Sequence, residues 1–138
     1  TVSTLREAEY FADAGITVTV VFCGFEGESY ETVPIVRQTI GLVPKATRAA
    51  RLKETLAISD FAKALGVDII GMHLGAVPED PNDPEYPAIV EAVRQVCDHC
   101  KRNGQRFHLE TGQETADALL RFIEAVGRDN LGIKFDPA

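Results

Sequence analysis

Residues 107–114 read FHLETGQE. A short apolar strand runs up to Glu110, and Thr111 and Gly112 then turn the chain. Burial penalises a charged carboxylate unless a partner offsets the loss of water, so a glutamate ending a buried strand must face such a partner. Side chains alternate across a strand. Phe107 and Leu109 therefore share one face, and His108 and Glu110 share the other.

The same alternation recurs in three more stretches. In ITVTVVFC (16–23), Val18, Val20 and Phe22 oppose Thr17, Thr19 and Val21. In VDIIGMHL (67–74), Ile70, Met72 and Leu74 oppose Ile69, Gly71 and His73. In LGIKFD (131–136), Ile133 and Phe135 oppose Lys134 and Asp136. Three of these four strands thus carry ionisable groups near their C-terminal ends, on the face away from an apolar one.

Helical patterns separate the strands. Residues 4–14 open with Thr4 and Glu7, spaced as a capping box, and stop at Gly15. Residues 46–65 place Ala57, Phe61, Ala64 and Leu65 on a stripe, ended by Gly66. Pro87 suits the first turn of a helix running to about Arg102. Thr111 and Glu114 read as a second capping box, before a helix whose stripe is Ala116, Leu119, Leu120 and Ile123. GFEGESYETVP (24–34) and GAVPEDPNDPEYP (75–87) read as loops.

Regular alternation of helix and strand predicts a parallel sheet covered by helices. A doubly wound open sheet and part of a (β/α)8 barrel both satisfy it. No G-x-G-x-x-G or G-x-x-x-x-G-K-[ST] follows any strand, which weakens nucleotide-binding folds. The polar strand faces favour the barrel, where they converge on the axis and where the C-terminal mouth holds the chemistry. The expected fold class is therefore α/β: an incomplete (β/α)8 TIM barrel of about four parallel strands and four helices, with residues 1–138 forming one partial domain. A complete barrel takes roughly 250 residues, so the first strand and the last strands are expected to be missing. Thr1 is not an initiator Met, and the sequence reads as a segment of a longer one. Unpaired edge strands on such a segment invite pairing between chains, so a homo-oligomer or aggregate is expected if it stands alone.

Composition narrows the partners. The 138 residues are 45% hydrophobic and 25% charged, as in an ordinary soluble domain. No apolar run approaches the roughly 20 residues of a membrane span, and no signal peptide opens the chain. The net charge of −7 disfavours a phosphate-backbone partner. Cys97 and Cys100 form C-x-x-C, but they lie late in a helix and share its apolar face with Ile89, Val93 and Val96. That reads as structural thiols rather than a redox or zinc pair. Reduced thiols fit a cytoplasmic location. His99, between them, is expected on an exposed helix face with no role.

Glu110, Asp136 and His73 stand on three neighbouring strand ends. Two carboxylates aimed at one spot repel unless a cation or proton separates them. A divalent metal such as Mn²⁺, Mg²⁺, Co²⁺ or Zn²⁺ answers that; so does a satisfied hydrogen-bond network. His108 faces inward one layer deeper than Glu110, as support. Lys134 faces inward below Asp136, as an interior ion pair or a Schiff-base lysine. Glu114 reads as a helix cap, and Glu26 and Glu28 as solvated loop residues or sugar contacts at the mouth.

The stretches GMHLG, HLETGQET and IKFDPA, at these intervals, resemble the xylose isomerase-like barrel superfamily over nearly the whole chain. That group contains sugar and sugar-phosphate isomerases and epimerases, and the apurinic endonucleases. The resemblance implies that Glu110 and Asp136 ligate a divalent metal and that Glu110 also acts as acid/base. It makes His73 a further ligand or a substrate contact. His108 and Lys134 complete the substrate-facing set. The implied activity is a metal-dependent sugar or sugar-phosphate isomerase or epimerase, moving a proton next to a carbonyl through an enediolate. A zinc-dependent apurinic endonuclease-like hydrolase and a non-catalytic binding module or inactive fragment are the alternatives. The implied partner is a small sugar or sugar phosphate, with no nucleic acid and no membrane. The remaining family ligands, a His and a second Glu, belong to later strands that this sequence does not contain.

Overall fold

In the computed structural model, residues 2–137 are described, with residues 2–5, 7 and 8 described by their backbone alone. The chain runs α1 (Val2–Asp13), β1 (Val21–Cys23), α2 (Val33–Thr39), α3 (Lys45–Ala64), β2 (Ile69–His73), α4 (Tyr86–Arg102), β3 (Arg106–Glu110), α5 (Ala116–Val126) and β4 (Leu131–Lys134). The strands lie in the order β1-β2-β3-β4, and every neighbouring pair is parallel. This is the arc of an incomplete barrel, with sequence order equal to spatial order, as the βα alternation requires.

Several local expectations are corrected. α1 already runs at Val2, so Thr4 lies inside it; the side chains of the expected Thr4–Glu7 box lie outside the described residues. The first strand pairs over Val21–Cys23 alone, against the 16–23 expected. α2 occupies the end of a stretch read as loop. Thr32 caps it, its Oγ1 accepting from Ile35 N at 3.4 Å, and Pro34 sits in its first turn. α5 is capped by Thr115, whose Oγ1 accepts from Ala118 N at 3.3 Å, and not by Thr111. Its buried line is Ala118, Phe122 and Val126, while Ala116 is exposed and Leu120 is 59% exposed.

α3 shows why its stripe was misread. Ala57, Phe61 and Ala64 are exposed, and the buried line is Arg51, Thr55, Ser59 and Ala62. Three of those four are polar, so a hydrophobic count misses them. Each has a partner that makes burial tolerable. Thr55 Oγ1 donates to Arg51 O at 2.8 Å, and Ser59 Oγ donates to Gln105 Oε1 at 2.6 Å. Arg51 donates to backbone carbonyls, described below.

The register sorts the inward side chains into layers. One row aligns Phe22 with Gly71, Gly71 with His108, and His108 with Gly132. The next row toward the C-terminal ends aligns His73 with Glu110 and Glu110 with Lys134. In the first row large rings alternate with glycines. A Cβ on Gly71 would lie 2.9 Å from the Phe22 ring, and one on Gly132 would lie 2.7 Å from the His108 ring. Rings from alternate strands fill the space that the glycines leave, as barrel interiors demand. On the convex side Ile70, Met72, Phe107 and Leu109 are buried with Ile89, Val93 and Val96 of α4.

The joint between α2 and α3 locks onto the end of β2. Leu42 N and Val43 N both donate to Leu74 O, at 2.9 and 3.2 Å. Gly41 (φ +65) permits this approach, because a Cβ there would lie 2.1 Å from Leu74 O. Gly66 has a similar φ of +74 but open space around it. Gly66→Ala should therefore cost only the left-handed backbone strain, about 1–2 kcal/mol. Gly41→Ala should cost clearly more, because backbone must move. Urea denaturation of the two variants checks this; equal losses would contradict the interlock.

Candidate functional site

The C-terminal ends of β2, β3 and β4 open into a hollow of about 220 Å³, lined by Tyr30, His73, Glu110, Thr111, Gly112 and Asp136, with Gln113 beside them. His73 is 7% exposed. Its Nδ1 accepts from Gly75 N at 3.1 Å, so the neutral ring carries its proton on Nε2. That nitrogen lies beside Gly112, where a Cβ would come within 2.8 Å of it. The glycine after the strand turn thus makes room for the imidazole.

Glu110 and Asp136 are brought together by an ammonium. Lys134 Nζ donates to Glu110 Oε1 and lies 3.8 Å from Asp136 Oδ2. The hydrogen bond to Glu110 is the main reason that the Lys134 pKa rises above the ordinary lysine value. Thr111 fixes the backbone of Asp136. Its Oγ1 accepts from Asp136 N at 2.9 Å and bonds Asp136 O at 3.1 Å, while Thr111 N donates to Lys134 O at 3.1 Å. No sequence motif singled Thr111 out for this work; its place directly after the strand-end glutamate is the signal that was available.

His108 lies one layer deeper, as expected. It borders a separate, largely apolar hollow with Val20, Ile69, Gly71 and Lys134. Burial, then the nearby Arg106 charge, pushes its pKa below the ordinary histidine value, so the ring is held neutral. Lys134 lines this deeper hollow and reaches Glu110 of the first, and its Nζ lies 5.3 Å from the centre of the Phe22 ring. The expected pairing with a carboxylate is present, but the lysine side chain is 42% exposed and the pair is not interior.

The other candidates fall elsewhere. Glu28 is neither solvated nor open to a ligand. Its Oε2 accepts from Phe25 N at 3.0 Å and its Oε1 from Gly41 N at 2.7 Å, with the side chain 11% exposed. Behind it Arg51, 6% exposed, donates through Nη1 to Thr39 O and Gly41 O at 2.6 and 2.9 Å. Its guanidinium also lies 5.2 Å from the Phe25 ring centre. Glu26 is exposed. Glu114 does not cap α5; its Oε1 accepts from Gly112 N at 3.1 Å, bracing the turn beside the hollow. His99 is not on an open face, since its Nε2 meets Asp60 Oδ1 at 2.7 Å with the ring 18% exposed. Cys97 and Cys100 are fully buried, which drives their pKa values to about 12 and about 11. They are inert protonated thiols.

The donor set at the mouth suits a hard cation only in part. Two carboxylates converge on one positive charge, and hard divalent ions take such oxygens. Among the described residues, however, no three His, Cys, Asp or Glu side chains form a group able to hold a metal. The positive charge that Glu110 and Asp136 meet in this arc is the Lys134 ammonium.

Comparison with known proteins agrees with this geometry. The family model described as xylose isomerase-like TIM barrel matches residues 5–138, and the chain belongs to that family. No curated protein matches it. Among solved structures, the xylose isomerase domain protein from Planctomyces limnophilus is 50% identical, with a TM-score of 0.95 over 98% of this chain and 49% of that one. A xylose isomerase-like TIM barrel protein from Mycobacterium smegmatis, in complex with magnesium, is 20% identical, with a TM-score of 0.70 over 97% of this chain and 46% of that one. D-psicose 3-epimerase from Clostridium cellulolyticum H10, with D-tagatose, is 21% identical, with a TM-score of 0.71 over 98% of this chain and 48% of that one. The chain thus spans about half the length of the structures it matches.

The buried Arg51 supports the mouth from behind, and that is testable. Arg51→Ala would remove its carbonyl contacts and leave the Glu28 carboxylate without its nearby charge. Loss of a buried charge's partner suggests a stability cost of roughly 3 kcal/mol. Arg51→Lys, with a shorter reach and no fork, should recover only part of it. Urea denaturation, with amide exchange at Gly41 as the local readout, checks both; unchanged exchange at Gly41 in Arg51→Ala would show that the loop is held by other means.

Proposed function

We propose that the protein containing this chain is a sugar or sugar-phosphate isomerase or epimerase and that Glu110 moves the proton. The observation that carries the reading is the convergence of Glu110, Asp136 and His73 on one hollow at the C-terminal ends of parallel strands, where barrels of this kind place their chemistry. The epimerases among the matched structures support the same class, with D-tagatose present in one of them. A divalent cation bound by Glu110, Asp136 and donors from outside this arc would polarise the substrate's carbonyl and hydroxyl oxygens.

The chain's own residues then divide the work. Glu110 accepts a proton from the carbon beside the carbonyl; in an isomerisation it would return that proton to the neighbouring carbon, and in an epimerisation a second acid on the opposite face, outside this arc, would supply it. His73, with Nδ1 engaged by Gly75, presents Nε2–H as a donor to a substrate oxygen. Of its two expected roles, substrate contact is the one that its hydrogen bonding favours. Lys134 sets its ammonium beside both carboxylates. His108, neutral and deeper, supports the layer beneath. Asp136 is held by Thr111 at the rim.

The test uses the full-length protein with free ketohexoses, D-tagatose included, and their phosphates, in D₂O with divalent metal. Deuterium should enter at the carbon beside the carbonyl. A chelator should abolish turnover and added metal restore it. Glu110→Gln should lower kcat by about 10²–10⁴-fold, with KM little changed. Turnover without exchange, together with near-normal kcat in Glu110→Gln, would overturn the proton-transfer role. Absence of any sugar turnover or binding would favour a non-catalytic module.

A further inference from the structure

Tyr30 was not among the residues that the sequence pointed to. It lies in the loop after β1, is 59% exposed, and lines the same hollow as Glu110 and Asp136. Its ring meets His73 edge to face, with centroids 5.9 Å apart and planes at 77°. A large exposed aromatic is unremarkable on a mobile loop, but this loop is anchored just before the ring. Glu28 ties it to Phe25 N and Gly41 N. Ser29 N donates to Thr39 Oγ1 at 3.1 Å, and that hydroxyl also bonds Ser29 O. Two successive residues thus bind the loop to the α2–α3 joint, and the ring is delivered to a fixed place.

The hollow therefore has one aromatic side and several polar ones. Strand-end carboxylates and an imidazole N–H suit hydroxyl and carbonyl oxygens. An aromatic ring suits C–H groups, whose slight positive charge matches its electron-rich face. A carbohydrate presents both at once. Burial, then the carboxylates of Glu28 and Glu110, raises the Tyr30 phenol pKa.

We propose that Tyr30 is a substrate-contact residue that packs its ring against the C–H face of an uncharged stretch of the sugar chain, and so sets affinity at this end of the site. The inference rests on the reading of the ligand as a sugar.

Binding of free ketohexoses to the full-length protein with divalent metal, followed by calorimetry, tests it. Tyr30→Phe keeps the ring and should bind within about twofold of wild type. Tyr30→Ala should weaken binding roughly five- to tenfold, the scale of one aromatic contact, and raise KM while leaving kcat nearly unchanged. The exposed position should keep the thermal midpoint of both variants close to wild type. Tyr10→Ala, at an exposed tyrosine on α1, should change nothing. If wild type binds sugar and Tyr30→Ala binds it equally well, the inference falls while the proposed function stands. If wild type binds no sugar, both fall.

Discussion

Glu110 and Asp136 can share one end of a sheet because Lys134 places an ammonium between them. Two carboxylates at adjacent strand ends repel unless a positive charge separates them. The pairing also constrains geometry. Glu110 and Lys134 are partners in the β3–β4 register, so the ion pair forms only when the strands align in this way. A slip by one residue would turn every inward side chain outward. The Thr111 contacts to the backbone of Asp136 reinforce the same alignment one step further along. Register, ion pair and the shape of the hollow are one constraint seen at three scales.

A sheet with helices on one side only must fill its other side from within. This arc does so by contrast in size. Phe22 and His108 on β1 and β3 lean over Gly71 and Gly132 on β2 and β4. That layer supports the next one, where His73, Glu110 and Lys134 stand. The loops make a second support. Gly41 lets the α2–α3 joint reach Leu74 O, and Arg51 and Glu28 bind the β1 loop to that joint. The site therefore depends on both a packed floor and an anchored rim.

Much of this could be read in the sequence, and the reason is the period of two. Alternation along FHLE and IKFD gave the parallel arc, the inward faces of Glu110, His108, Lys134 and Asp136, and the depth of His108. What escaped was whatever periodicity cannot carry. The buried face of α3 is polar, so Arg51, Thr55 and Ser59 looked like solvent residues until their partners were visible. Glu28 looked solvated because its two amide donors are 3 and 13 residues away. Two threonines four apart competed to cap α5, and only the position of the helix start decides between Thr111 and Thr115. Gly71 and Gly132 carry no pattern of their own; their purpose appears only in the rings beside them. Tyr30 has no periodic context at all.

The edge of the arc makes a demand that the arc itself does not meet. Ile133 and Phe135 are 36% and 76% exposed at β4, and Leu120 on the preceding helix is 59% exposed. In a closed barrel, such convex apolar groups lie under the next helix, and β4 pairs with a further strand. The mouth repeats the pattern. It holds two carboxylates, one imidazole donor and one aromatic ring, all approaching from a single side. A sugar seated on them would still face open solvent opposite Glu110, where water would compete for every hydrogen bond and weaken the field that a proton transfer relies on. The apolar edge and the one-sided site therefore call for the same thing, a facing wall. The same closure that buries Ile133 and Phe135 would give Glu110 the dry surroundings its proposed chemistry needs.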